Sequence, residues 1–144
     1  MLFRSLTGTD DVLVYAKDTP AAWLARHPGI GTLDDDFEKD GRTNFVEFAL
    51  GLDPSVPDYA AAPTSTLEAG HLTLTYTRIK PPGAVIYAIE VADAGVSFRP
   101  PNVGEVTEQI LSDNGVTQSV KVTDTVSTSA QPNRFLRLRV SPAP

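Results

Sequence analysis

Residues 72 to 77 read Leu72-Thr73-Leu74-Thr75-Tyr76-Thr77, so that apolar or aromatic side chains alternate with threonines. Because successive side chains of a strand point to opposite faces, this period of two predicts a half-buried β-strand. A second alternation follows in Val85-Ile86-Tyr87-Ala88-Ile89-Glu90-Val91 and predicts another strand. The chain from about Thr64 onward is therefore expected to be β-structure.

Three more strands are predicted further along the chain. Two of them, near Glu105 to Leu111 and Val116 to Thr123, flank Ser112-Asp113-Asn114-Gly115, and its Asn-Gly pair is a strong hairpin-turn signal. The last strand covers Arg134 to Val140. Several short strands separated by turns favour an antiparallel β-sandwich or a partly open barrel.

The last predicted strand has two different faces. One face is apolar and consists of Leu136, Leu138 and Val140. The other carries Phe135, Arg137 and Arg139, and together with Arg134 these arginines are expected to form a basic ridge. Such a ridge is typical of a strand face that protects a sheet edge from aggregation, and recognition of an acidic partner is the alternative interpretation.

The segment before the strands carries helix signals instead. Pro20 suits the first position of a helix that follows Asp18-Thr19, and His27-Pro28-Gly29 cannot continue that helix. A second short helix is predicted over residues 44 to 50, with Gly51 as its C-cap. Its apolar positions lie on one side, so we expect this helix to dock on another element.

The acidic segment Asp36-Phe37-Glu38-Lys39-Asp40-Gly41-Arg42-Thr43-Asn44-Phe45-Val46-Glu47 connects the two helices. A twelve-residue calcium loop takes ligands from positions 1, 3, 5, 7, 9 and 12, with glycine at position 6 for the sharp turn. Counted from Asp36, Gly41 stands at the turn. The predicted Ca²⁺ ligands are Asp36, Glu38, Asp40, the carbonyl of Arg42, Asn44 and Glu47.

An ordinary solvated acidic turn is the competing interpretation, because Asp34, Asp35 and Asp36 are consecutive. The ligand spacing favours the metal loop over that alternative. Thr43 occupies position 8, where paired calcium loops carry a large aliphatic residue, and the chain holds no second loop of this kind. We therefore expect a single calcium loop that stabilises the fold, and not a paired calcium sensor.

These patterns predict an α+β chain, mainly an antiparallel β-sandwich with an N-terminal appendage of helix, calcium loop and helix. Four segments are expected: an N-terminal extension (1–19), the helix, calcium loop and helix (20–54), a proline-rich linker (55–63) and the β-sandwich domain (64–141). With 144 residues, 41% of them hydrophobic, the chain is long enough to form a core.

Composition excludes several functional classes. The net charge of −6 and the pI of about 4.7 disfavour nucleic acid and anionic membranes as partners. The absence of cysteine excludes disulfides and thiolate chemistry. The N-terminus has no apolar stretch typical of a secretion signal, and no apolar run is long enough to span a membrane.

Catalytic patterns are weak, so a non-enzyme is expected. His27 and His71 have no nucleophile and orienting acid at a recognisable spacing, and the glycines do not form a phosphate loop. A carboxylate pair of a hydrolase fragment remains an alternative. A carbohydrate-binding sandwich face is another, with Tyr76, Tyr87 and Phe98 as the residues to test.

Residues 36 to 54 resemble the acidic-loop signature D-x-D-x-D-G-x-x-N-x-x-E-[FY]-A-L-G-x-D-P, found near the C-terminal ends of many large exported bacterial surface proteins. In loop chemistry the segment is similar to dockerins and thrombospondin type 3 repeats. The resemblance extends through the strands to about residue 141 and implies a non-catalytic, calcium-stabilised structural or adhesive module, extracellular or on the cell surface. Other domains of a larger parent protein, or a surface polysaccharide, are the implied partners.

Overall fold

The computed structural model describes the backbone of residues 2–4 and 13–15 and the whole of residues 18–80, 83–94 and 97–144. Strands β1 (Leu2–Arg4) and β2 (Leu13–Tyr15) pair with each other in antiparallel fashion. The rest of the predicted N-terminal extension lies outside the described residues, apart from Asp18 and Thr19. The main body follows as two short helices and six strands.

The helices begin and end where the sequence predicts. Helix α1 (Pro20–Arg26) has Thr19 as its N-cap, whose hydroxyl accepts a hydrogen bond from the Ala22 amide. Helix α2 (Asn44–Leu50) has Thr43 as its N-cap and ends at Gly51, which adopts the left-handed conformation with φ of 68°. Neither helix is long and apolar enough to cross a membrane, and the described residues contain no other α-helix.

The six strands form two antiparallel sheets, which confirms the predicted mainly β, α+β fold. The four-stranded sheet has the order β3-β4-β7-β6, and the two-stranded sheet pairs β5 with β8. Asn114 and Gly115 form the turn between β6 and β7, as predicted, with Asn114 Oδ1 accepting from the amides of Val116 and Thr117. The strands are β3 (Thr64–Glu68), β4 (His71–Ile79), β5 (Val85–Ala92), β6 (Val106–Asp113), β7 (Thr117–Ser127) and β8 (Phe135–Pro142).

Two apolar clusters hold the molecule together. The cluster between the sheets contains Leu74, Tyr76, Val120 and Val122. The other cluster joins the helices to one end of the sheets and contains Trp23, Ile30, Phe45, Phe48, Ala49 and Val85. The ring of Tyr87 packs against both clusters, so the segment that carries the acidic loop is docked directly on the sandwich.

The prediction for Arg134 is wrong. This residue precedes β8 and does not join an exposed ridge with Arg137 and Arg139, because its side chain is almost fully buried. Its Nε donates to Asp124 at 2.6 Å and its Nη2 donates to Glu105 at 2.8 Å. A buried guanidinium needs such partners to compensate for its lost hydration.

Candidate metal site

The backbone of the acidic loop turns around the side chain of Asp36. One carboxylate oxygen of Asp36 accepts a hydrogen bond from the Asp40 amide at 3.2 Å, and the other accepts from the Gly41 amide at 2.9 Å. Gly41 has a φ of +91°, a conformation that side chains with a Cβ rarely adopt. The sharp turn expected at Gly41 is therefore present, and it folds the loop back on its first residue.

This turn brings three of the predicted ligands together. Asp36, Glu38 and Asp40 each offer a carboxylate oxygen, and these oxygens lie within 4.8 Å of one another. Oxygen ligands at 2.3 to 2.6 Å around one cation would be separated by distances of this size. The acidic triad could therefore hold a metal ion.

Glu47 belongs to the same environment although it lies on helix α2. Its side chain has no exposed surface, and neither of its carboxylate oxygens has a hydrogen-bond partner among the described residues. The same is true of both oxygens of Glu38, which are buried as well. Four carboxylate oxygens are thus removed from water without a donor, which is costly for ionised groups unless a cation or a proton neutralises them.

The pKa of Glu47 reflects this environment. Burial, the neighbouring Glu38 carboxyl and the charge of Asp40 together raise the pKa of the Glu47 carboxyl to about 8, against a smaller opposing effect of Arg42. With no metal, a proton is what neutralises Glu47 near neutral pH. A divalent cation would neutralise the carboxylates of Glu38 and Glu47 together, whereas a single proton neutralises only one of them.

The side chain of Arg42 has contacts that the sequence did not predict. Its guanidinium pairs with the fully buried Asp40 carboxylate at 2.6 Å and also donates to the carbonyl of Asp58 at 3.1 Å. This ion pair fixes Asp40 and ties the loop to the segment after α2. The spacing of calcium loops gives no signal for it, because position 7 is predicted to act through its backbone alone.

Asn44 anchors the loop from the other side. Its amide nitrogen donates to the carbonyls of Ile30 at 3.0 Å and Thr32 at 2.6 Å, and its backbone amide donates to Asp35 at 2.8 Å. The remaining side-chain oxygen of Asn44 is buried and has no partner among the described residues. The geometry therefore gives Asn44 a structural task, and its role as a ligand at position 9 stays a prediction.

The side chains considered for other functions have structural contacts. Nδ1 of His27 lies 2.8 Å from the Trp23 carbonyl, and Nδ1 of His71 lies 2.9 Å from the Asp124 carbonyl. Tyr76 is buried between the sheets, and the hydroxyl of Tyr87 donates a hydrogen bond to the carbonyl of Ala49. Of the three aromatic residues named for sugar binding, only Phe98 is exposed, and it stacks under the guanidinium of Arg137.

A second group of charges lies at the other end of the sandwich and is fully paired. Arg134 contacts Asp124, Glu105 and Asp93, and Glu105 also forms two hydrogen bonds with Arg99 at 2.8 Å. Sequence reasoning missed this network because its members are far apart in the chain. The carboxylates there already have cationic partners, so the acidic loop is the better candidate for a metal site.

No family model, curated protein or solved structure matches the chain at a significant level.

Proposed function

We propose that the loop binds one Ca²⁺ ion through Asp36, Glu38, Asp40, the Arg42 carbonyl and Glu47, with Asn44 at the ninth position. One observation carries the proposal. Among the described residues, the buried carboxylate oxygens of Glu38 and Glu47 have no hydrogen-bond partner, and Glu38 also belongs to the acidic triad whose oxygens converge. Oxygen-only donor sets suit Ca²⁺ and Mg²⁺, and a large donor set with a bidentate glutamate suits Ca²⁺ better.

The charge of the site is consistent with a divalent ion. Four carboxylates face one guanidinium, that of Arg42, which leaves three negative charges when all are ionised. Two positive charges from Ca²⁺ would neutralise most of this excess. Since the backbone amides around Asp36 already hold the loop in a turn, the ion would bind to a largely formed site and need little reorganisation.

The role that we propose for the ion is structural. Glu47 lies on the same helix as Phe48, Ala49 and Leu50, which are buried against the sheets. An ion held by the loop and by Glu47 would therefore fix α2 on the sandwich. We infer that the chain is a non-catalytic, calcium-stabilised structural or adhesive module of an exported bacterial protein, as its resemblance to such modules implies.

Direct titration tests this proposal. Calorimetry with Ca²⁺ is expected to give one site with a dissociation constant of about 10⁻⁵ to 10⁻³ M, the upper part of which is typical of extracellular modules. Mg²⁺ should bind much more weakly, because its small octahedral shell does not suit a bidentate Glu47. The matched control is Asp34→Asn, which removes an exposed acid next to the loop but not one of its ligands. Absence of Ca²⁺ binding at millimolar concentration would contradict the proposal.

A further inference from the structure

The two layers of the sandwich have different widths. Four strands form one layer and two form the other, and neighbouring strands are about 4.8 Å apart. The narrow layer therefore cannot cover the inner face of the wide one. The inner face of β3 is left open: Leu67 is 60% exposed, although it pairs with Leu72, and Ser65 is exposed beside the core residue Leu74.

The uncovered region forms a cleft next to β8. The cleft has a volume of about 440 Å³, which is within the range of ligand-binding pockets in proteins. Helix α2, the pair β3 and β4, and the apolar face of β8 enclose it. Its lining includes Val46, Leu74, Leu136, Leu138, Val140 and Arg42.

One edge of β8, which no described strand other than β5 pairs with, borders the same region. Val91 exchanges two hydrogen bonds with Arg99, at 2.9 and 3.0 Å, so its backbone faces away from β8. Val91 pairs with Leu136 in the register of β5 and β8, and backbone direction alternates along a strand. The N–H and C=O groups of Leu136, Leu138 and Val140 therefore point away from β5, and no strand in the described part of the chain pairs with them.

The outer face of β8 is positively charged. The side chains of Arg137 and Arg139 are 48% and 65% exposed, and they share one carboxylate, that of Glu90, at 2.6 and 3.8 Å. Two cations against one anion leave a surplus of one positive charge. The cleft lining contains no acidic residue, and the guanidinium of Arg42 within it is already paired with Asp40.

This charge distribution favours an acidic strand as the occupant of the edge. A second copy of the chain that paired antiparallel along β8 in the register centred on Leu138 would place Arg137 opposite Arg139 of the partner subunit. Like charges directly opposite each other destabilise a strand pair. A strand with acidic side chains on its outer face would instead meet opposite charges.

We propose that β8 is a docking edge for an extended segment of a partner protein, which adds to the two-stranded sheet as a third strand. The segment alternates apolar residues, which enter the cleft beside Leu136 and Leu138, with acidic residues, which face Arg137 and Arg139. Main-chain hydrogen bonds supply affinity in this mode of recognition, and the alternating side chains supply specificity. The proposal does not depend on metal binding in the acidic loop.

The test uses the full chain and a capped peptide of sequence Thr-Val-Glu-Val-Glu-Val-Thr. Amide exchange measured by NMR is expected to slow at least about tenfold at Leu136, Leu138 and Val140 when the peptide binds. The amides of Arg137 and Arg139 already face β5, so their exchange rates should not change. A peptide of the same composition with its valines and glutamates in separate blocks is the control, and it should not protect these amides.

Charge reversal provides the second arm of the test. Arg139→Glu should weaken binding of the acidic peptide about 3- to 10-fold and favour a peptide with lysine in place of glutamate. Arg26→Glu is the matched control, because Arg26 is also exposed but lies on α1. Melting curves of both variants show whether they are folded. The proposal is overturned if the acidic peptide does not bind at about 1 mM, if the block peptide binds equally well, or if Arg139→Glu leaves the affinity of a folded variant unchanged.

Discussion

The hydroxyl of Tyr87 donates a hydrogen bond to the backbone carbonyl of Ala49 at 2.5 Å and accepts one from the amide of Ile79 at 3.2 Å. One side chain of β5 thereby connects α2 with β4. Burial raises the pKa of Tyr87 to about 12, so the hydroxyl remains protonated and able to donate throughout the physiological range. The helix that carries Glu47 is thus attached to the sandwich near its C-terminal end.

Replacement of this hydroxyl should therefore weaken the docking of α2. Tyr87→Phe keeps the ring and leaves the Ala49 carbonyl and the Ile79 amide without this partner. We expect a loss of about 1 to 3 kcal/mol in the free energy of unfolding, measured by urea denaturation. Tyr59→Phe is the control, because Tyr59 is 65% exposed and its change should have little effect. Equal effects of the two substitutions would contradict the role of Tyr87.

Removal of the charge at Glu47 should separate metal binding from folding. Glu47→Gln keeps the size of the side chain but removes the bidentate carboxylate, so most of the calcium-dependent stabilisation should disappear. The calcium-free protein should keep nearly the same stability, since a neutral amide replaces a buried carboxylate that has no hydrogen-bond partner among the described residues. Thermal melting with and without Ca²⁺ measures both effects, and Asp34→Asn should behave like the unsubstituted protein.

Truncation of Phe48 should have the opposite effect. Phe48 is 1% exposed and packs edge to face against Trp23, in the cluster that joins the helices to the sheets. Phe48→Ala should cost about 3 to 5 kcal/mol of stability in chelator as well as in Ca²⁺, because it leaves a cavity. If Phe48→Ala and Glu47→Gln lose the same free energy of unfolding in chelator, the assignment of packing to Phe48 and of metal binding to Glu47 is wrong.

The charges around Arg134 predict a loss of stability in acid. The pKa of Glu105 is lowered well below its ordinary value of 4.5, chiefly by Arg99, with the Asn102 amide and Arg134 adding to the effect. A group with a lowered pKa stabilises the fold above its unfolded pKa, and this contribution is lost as pH falls below about 4.5. In calcium-free buffer, Glu105→Gln should therefore be less stable than the unsubstituted chain at pH 7, with a smaller difference at pH 2 to 3. If the difference in stability between the two proteins stays the same from pH 7 to pH 2, the charge of Glu105 does not stabilise the fold.

Local patterns predicted most of the fold and the grouping of Asp36, Glu38 and Asp40 in the acidic loop. The alternation along β4 and β5, the Asn114-Gly115 turn and the Gly51 C-cap of α2 are each determined by neighbours in sequence, and all of them are present. Strand β3 was not predicted separately, because all five of its side chains are exposed and only its pairing with β4 makes it a strand.

Contacts between distant residues could not be predicted in this way. Arg134 is buried by Asp124, Glu105 and Asp93, which lie 10, 29 and 41 positions away in the chain. The spacing of the loop placed Glu47 among the ligands, but only the packing of α2 shows that its carboxylate is completely buried. The exposed edge of β8 likewise depends on how many strands each layer receives, which the periodicity of single strands does not specify.

Thermal unfolding in Ca²⁺ and in chelator tests the central claim most directly. At a free Ca²⁺ concentration of about 100 times the dissociation constant, binding to the folded state alone stabilises the protein by about 2.7 kcal/mol. For a chain of this size the melting temperature should then rise by about 5 to 10 °C relative to excess chelator, and Glu47→Gln should abolish most of that rise. An identical melting temperature in millimolar Ca²⁺ and in chelator would contradict a calcium-stabilised module.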